Sequence, residues 1–322
     1  MVAPGFISGI NGTPTERSAG RLADRATVEG DSDEPRGSPS RCRTVRNGTI
    51  RRNADTPCPG EGARVNVEAL LIDLDGVLYV GDAPVPGAVE TLEWLRDQGI
   101  PFRCVTNTTR RSRRAVAARL NAFGFAIPEA WCFTPALAAV RRLGEEGAAA
   151  CHLIATGDVH RDFEEAGVRL AEEAPYVVVG DAGDRWTYGS MNRAFRLLVG
   201  GARLIALERD RYWRDADGLA LSAGPFVAAL EYAAGVTAEV VGKPSPAFFR
   251  LALADLGVPA ERAVMVGDDI ATDIGGAQDA GLGALLVRTG KFRPDALAAA
   301  PVVPDRVLGS IADLPAFLER GA

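Results

Sequence analysis

Apolar positions in this chain form two kinds of run, and the two kinds alternate. Ala69-Leu70-Leu71-Ile72 is continuous and ends in Asp73, the pattern of a parallel strand buried on both faces. Gly87 to Gln98 predicts a helix, with Val89, Leu92 and Leu95 at helical spacing. Phe102 to Val105 predicts the next strand, and Ser112 to Phe123 the next helix, facing inward through Val116, Leu120 and Phe123. The alternation returns late: Ala263 to Val266 and Ala284 to Val287 as strands, Gly275 to Ala280 as a helical segment, Ile311 to Leu318 as a closing helix. Strands alternating with helices predict an α/β fold with a parallel sheet covered by helices.

The stretch between these halves carries its own pattern. Leu153 to Ala155, Tyr176 to Val179 and Leu204 to Leu207 predict strands, and Met191 to Leu198 and Pro225 to Ala234 predict helices. It is expected to be an inserted α/β domain, so that 65–143 and 242–322 form one core and 144–241 the insert. Residues 1–64 differ: they are rich in Gly, Pro, Ser, Thr and Arg, and are expected to be a disordered tail. Its arginine-rich part, Arg36 to Arg52, reads as a solvated face rather than a binding site.

Composition changes the picture only modestly. The chain has 322 residues, 47% of them apolar, and a formal net charge of -6. Such a length suits two domains or one with a large insertion, and mild acidity argues against a nucleic-acid partner. Cys42, Cys58, Cys104, Cys132 and Cys151 are odd in number with no CxxC pair, which argues against a disulfide framework or a zinc site. A reducing, cytoplasmic setting is expected. No run approaches the roughly 18 apolar residues of a membrane span, and the opening MVAPGFISGI has no basic leader.

Four polar clusters stand at strand ends, where open α/β sheets bind ligands. The first is Asp73-Leu74-Asp75-Gly76. Two carboxylates there would repel unless they shared a cation or a proton; the alternative is pairing with backbone N–H groups in a turn. The second, Thr106-Asn107-Thr108-Thr109, could hold a phosphate on hydroxyls and amides or simply cap the next helix. The third is Gly242-Lys243-Pro244, where a boxed lysine would supply a fixed cation. The fourth runs from Gly267-Asp268-Asp269 to Asp273. Its three acids suit a hard divalent cation such as magnesium, although Asp269 alone could be a helix N-cap. His152, His160 and the Gly180–Gly183 turn carry no expected chemistry, and no GxGxxG follows the first strand.

Together and in this order, the clusters resemble the motifs of the haloacid dehalogenase superfamily of phosphohydrolases, over about residues 65 to 320. Thr106-Asn107-Thr108-Thr109, Val241-Gly242-Lys243-Pro244 and Gly275-Gly276-Ala277-Gln278-Asp279-Ala280-Gly281 resemble its type IIA branch. Asn192-Arg193-Ala194-Phe195-Arg196-Leu197-Leu198 and Gly224-Pro225-Phe226-Val227 are similar to the group around phospholysine phosphohistidine inorganic pyrophosphate phosphatase. The resemblance implies a Rossmann-like parallel-sheet core with an inserted α/β cap of the C2 type. It also implies a magnesium-dependent phosphatase of small phosphorylated metabolites, with pyrophosphate or P–N bonds as further targets.

In the implied roles Asp73 is the nucleophile and Asp75 the acid–base. Magnesium is held by Asp73, the Asp75 backbone oxygen and Asp268. Asp269 and Asp273 ligate through water or orient the ligands. Thr106 and the Asn107 backbone bind phosphate, Lys243 orients Asp73, and Tyr188, Asn192, Arg211, Tyr212 and Trp213 are candidates for specificity in the cap. A phosphotransferase or mutase, or a non-catalytic phosphometabolite-binding protein, is the competing reading, and a homodimer is left open.

Overall fold

A computed structural model describes residues 67–215 and 218–320. The tail expected over 1–64 lies outside the described residues. The chain enters through β1 (Ala69–Asp73), makes a small hairpin of β2 (Tyr79–Val80) and β3 (Ala83–Pro84), then adds β4 (Phe102–Val105) and β5 (Cys132–Phe133). Next come β6 (Ala150–Ile154), β7 (Arg169–Leu170), β8 (Tyr176–Val179) and β9 (Arg203–Ala206). A hairpin of β10 (Tyr212–Asp215) and β11 (Gly218–Leu221) precedes β12 (Glu239–Val240). The chain closes with β13 (Ala263–Gly267), β14 (Gly283–Val287) and β15 (Arg306–Leu308).

Two parallel sheets result. The first has the order β15-β14-β13-β1-β4-β5, drawing strands from both ends of the described chain; the second, β12-β9-β8-β6-β7, comes wholly from the middle. The expected strands are found. β6 begins earlier than its apolar run suggests, because the polar His152 is accommodated: its Nδ1 lies 3.1 Å from the Ala171 carbonyl. The hairpin β10–β11 has no counterpart in the apolar pattern, since Leu219 and Leu221 face solvent.

Alternation along each strand explains the layers. Leu70 and Ile72 of β1 join Val264 and Val266 in one apolar cluster, while Leu71 and Met265 point to the opposite face. That second cluster runs on through Phe133, Phe248 and Phe249 into Cys151, Val178 and Ile205 of the middle sheet. The two sheets therefore share one continuous apolar layer. The far face of the middle sheet is covered by the helices Tyr188–Val199 and Gly224–Ala234.

Helix starts follow local chemistry. Ser112 accepts the Ala115 N–H at the head of Arg113–Ala122, and Thr134 does the same for Leu137, with Pro135 in the first turn. No helix among the described residues is long and apolar enough to cross a membrane.

Candidate active site

Strands β13, β1 and β4 are neighbours and run parallel, so the residues that follow their last positions meet at one edge. Asp73 closes β1, Thr106 follows β4, and Asp268 follows β13. Gly76 makes the turn after Asp73 at φ +91°, and a Cβ there would overlap the Asp268 carboxylate. Only glycine lets the first and fourth clusters approach this closely.

The centre of the site is a closed electrostatic group. The Lys243 ammonium lies 2.7 Å from Asp73 Oδ1 and 2.7 Å from Asp273 Oδ1. Asp73, Lys243, Asp268 and Asp273 are 5%, 3%, 1% and 1% exposed. Burial alone would push the Lys243 pKa down, but the Asp273 and Asp73 carboxylates outweigh it and raise the value. Asp273 uses its other oxygen to accept the backbone N–H groups of Asp268 and Asp269, at 3.2 and 3.1 Å. Burial pushes Asp273 up to about 6, with Lys243 acting in the opposite sense.

Asp268 is the group left unbalanced. Its Oδ2 accepts the Lys291 backbone N–H at 2.6 Å, while its buried Oδ1 has no hydrogen-bond partner. Burial, then the charges of Asp73 and Asp273, push it up to about 8. Asp73, Asp268 and Asp273 each bring a carboxylate oxygen within 4.8 Å of the others. An unpartnered buried oxygen in an oxygen-only cluster of excess negative charge fits a divalent cation.

The remaining predicted residues take separate places. Asp75 is exposed and lines the cleft beside Asp73. Thr106 is buried, and its hydroxyl accepts the Thr108 N–H at 3.2 Å, which leaves its own proton free to donate. The Asn107 side chain grips the backbone of Lys243, accepting from its N–H at 2.8 Å and donating to its carbonyl at 3.0 Å. Asp269 caps the following helical turn through the amides of Ala271 and Thr272.

Of the five candidates named for the insert, Trp213 lines the cleft. The others are not brought there. Tyr188 is 85% exposed at the head of its helix, Asn192 faces a separate hollow beside Glu172, and Arg211 and Tyr212 lie together on the outer side of the hairpin. Alternation along β10 separates Tyr212 from Trp213, which point to opposite faces, and Arg211 lies outside that strand.

The cleft is about 510 Å³, and the insert contributes walls to it that the sequence did not reveal, Glu208, Asp210 and Ser222, together with Asp181 from the Gly180–Gly183 turn that was expected to carry no chemistry. Asp181 holds Arg110 through two bonds of 2.8 and 3.1 Å, and the Arg110 guanidinium lies over the Trp213 ring at 4.7 Å. Glu208 is buried and accepts from Ser222 Oγ at 2.6 Å and Ala223 N at 2.8 Å; burial pushes it up to about 6. Asp158 and Asp162 accept from Ser112 and Arg113, so the insert also braces the loop after β4 from behind.

Comparison with known proteins agrees with this geometry. Residues 70–169 match the family described as haloacid dehalogenase-like hydrolase, and residues 240–314 match the one described as HAD-hydrolase-like. The chain is 44% identical over 227 residues to the bovine (Bos taurus) haloacid dehalogenase-like hydrolase domain-containing protein 2, covering 70% of this chain and 86% of that one. It is 41% identical over 235 residues to the Xenopus laevis phospholysine phosphohistidine inorganic pyrophosphate phosphatase, covering 71% and 86%. Among solved structures, 4-nitrophenylphosphatase from Thermotoga maritima superposes with a TM-score of 0.74 at 29% identity, covering 79% of this chain and 98% of that one. NagD from E. coli gives 0.71 at 29%, covering 77% and 98%.

Proposed function

This chain belongs to the haloacid dehalogenase-like hydrolases, and from that premise we propose that it is a magnesium-dependent phosphatase of small phosphorylated metabolites, working through an aspartyl-phosphate on Asp73. The observation that carries the reading is the Asp73–Lys243–Asp273 group beside the unpartnered Asp268 Oδ1. A carboxylate held by a buried cation at a cleft floor is a positioned nucleophile. The Lys243 ammonium holds Asp73 Oδ1 at 2.7 Å and is itself held by Asp273 at 2.7 Å.

In the first step an Asp73 oxygen attacks phosphorus and the bond to the leaving oxygen breaks, while Asp75 gives that oxygen a proton. In the second, Asp75 takes a proton from water, which attacks the aspartyl-phosphate and releases inorganic phosphate, restoring Asp73. The exposed position of Asp75 supports this exchange with leaving group and water. The Thr106 hydroxyl and the amides after it would hold the phosphoryl oxygens. Asp273 acts through its partners, setting both the Lys243 ammonium and the Asp268–Asp269 turn.

Magnesium would be held by Asp73, Asp268 and the Asp75 carbonyl, and when bound it supplies charge to offset the transferring phosphoryl group. Both oxygens of Asp273 are already engaged, which argues for a supporting part there. Three free buried thiols, Cys104, Cys132 and Cys151, fit a reducing compartment such as the cytoplasm. The relatives named as 4-nitrophenylphosphatase and as a phospholysine, phosphohistidine and pyrophosphate phosphatase support phosphoryl chemistry on small molecules.

The test is inorganic phosphate release from 4-nitrophenyl phosphate. Activity should vanish in excess chelator, return with magnesium and return poorly with calcium, whose looser coordination would misplace Asp73. Full activity in chelator, with metal content checked, would contradict the proposal.

A further inference from the structure

The two lysines that line the cleft stand in opposite states. Lys243 is on the floor and fully engaged, with a carboxylate on each side. Lys291 is exposed, and its ammonium makes no hydrogen bond or ion pair among the described residues.

That freedom contrasts with how firmly its backbone is held. The Thr289 hydroxyl donates to the Gly76 carbonyl. Gly290 adopts φ +62°, and a Cβ there would overlap both the Asp268 carboxylate and the Gly76 Cα. The Lys291 N–H then donates to Asp268 Oδ2 at 2.6 Å. Three successive residues thus pin the Lys291 backbone beside the acid cluster and leave a four-carbon stem with an unengaged cation at the opening.

The other charges at the opening decide what that cation faces. Arg110 is neutralised by Asp181, whereas Arg111 lines the cleft, is exposed and has no partner among the described residues. On the insert side, Glu208 is occupied by Ser222 and Ala223, and Asp210 is half-buried with the Asn107 amide 3.5 Å away. Among the described residues neither Lys291 nor Arg111 forms a direct ion pair with these acids, although the Lys291 charge favours ionised Asp210 and is itself favoured by Asp73 and Asp268.

We infer that Lys291 is a specificity-determining residue that selects substrates whose leaving group carries an anion of its own, a second phosphate or a carboxylate, with Arg111 as a second cation on the rim. This rests on the reading of Asp73 as the nucleophile, which puts the transferring phosphoryl group at the floor and the leaving group at the opening. The arrangement disfavours a cationic leaving group, which would meet unpaired like charge.

The experiment compares kcat/KM for four probes. Pyrophosphate and 3-phosphoglycerate carry a second phosphate and a carboxylate; 4-nitrophenyl phosphate has a neutral leaving group and O-phosphoethanolamine a cationic one. Wild type should prefer one or both of the two-anion probes to the cationic one by at least tenfold. Lys291→Ala should reduce the ratio of two-anion to neutral kcat/KM about tenfold, chiefly through KM, and Lys291→Arg should restore it. The pyrophosphate and 3-phosphoglycerate arms tell a phosphate partner from a carboxylate. An unchanged ratio in Lys291→Ala, or a wild type that takes the cationic probe as well as the anionic ones, overturns the inference while phosphate release from 4-nitrophenyl phosphate keeps the phosphatase reading. A wild type that releases no phosphate from any probe removes both.

Discussion

The floor of the cleft and the wall that the insert gives it are built differently. On the floor, Asp73, Lys243, Asp268 and Asp273 sit at the ends of buried parallel strands or in the turns just after them, nearly closed to solvent. They interlock through two 2.7 Å ion pairs and two backbone amides. The wall is made of strand-end loops and a two-stranded hairpin. Its acids are engaged across the base of the hairpin, as Glu208 is by Ser222 and Ala223, or by one arginine, as Asp181 is by Arg110. A rigid floor suits a reaction common to many substrates, and a wall of loops suits choosing among them.

That contrast sets the scale of what substitutions should do. Asp73→Asn keeps the shape and removes the proposed nucleophile; turnover should fall by about 10³-fold or more, measured as initial rates with saturating magnesium. A loss under tenfold would place the chemistry elsewhere. Lys243→Met should come next. It leaves Asp73 and Asp273 buried without their cation, so a rate loss of about 10²-fold should be accompanied by lower stability, on the order of 3 kcal/mol, in urea unfolding. A fully stable and active Lys243→Met protein would mean that the floor is not interlocked as described.

Wall changes should be smaller and of another kind. Asp181→Asn weakens the hold on Arg110, and with it the stack on Trp213. We expect a change of about tenfold or less in kcat/KM, carried by KM and differing between substrates. A substrate-independent fall in kcat as large as that of Lys243→Met would erase the distinction between wall and floor.

The smallest effect is one of pH. Asp162, on the insert, is raised by burial from 3.8 to about 6, although the Arg113 N–H and guanidinium favour its charge. A carboxyl raised in the folded state lends stability that is full below its unfolded value near 3.8 and lost as pH rises through about 6. The stability of the wild type minus that of Asp162→Asn should therefore decrease between pH 4 and 7, by on the order of 1–3 kcal/mol. A difference that grows over that range would reverse the sign of the burial effect.

The same division governs what could be read from the sequence. Ala69–Ile72 and Ala263–Val266 announce themselves as continuous apolar runs, and the acids that follow them must lie at a sheet edge. Lys243 is legible because Gly and Pro enclose it. Asn107 was legible only as a backbone ligand; its side chain grips Lys243, a pairing across 136 positions that no local pattern encodes. Glu208 and Asp210 escaped notice, and Asp181 was set aside with its Gly180–Gly183 turn, for a similar reason, since an acid at a loop in the insert looks the same whether it faces solvent or a cleft. The aromatic candidates show the limit most clearly. Tyr212 and Trp213 are adjacent and equally suggestive in sequence, and only strand alternation sends one outward and the other to the cleft.

The most direct test of the account is to trap the phosphoryl group. Wild type and Asp75→Asn are mixed with an aryl phosphate bearing a very good leaving group, quenched within milliseconds, and analysed by peptide mass spectrometry. With such a leaving group the first step needs little protonation, while in Asp75→Asn the second would lack the proposed base. The account predicts a phosphoryl adduct on Asp73, more abundant in Asp75→Asn than in wild type and absent in Asp73→Asn. An adduct on another residue would contradict it, as would normal turnover by Asp73→Asn after deamidation back to aspartate has been excluded by mass.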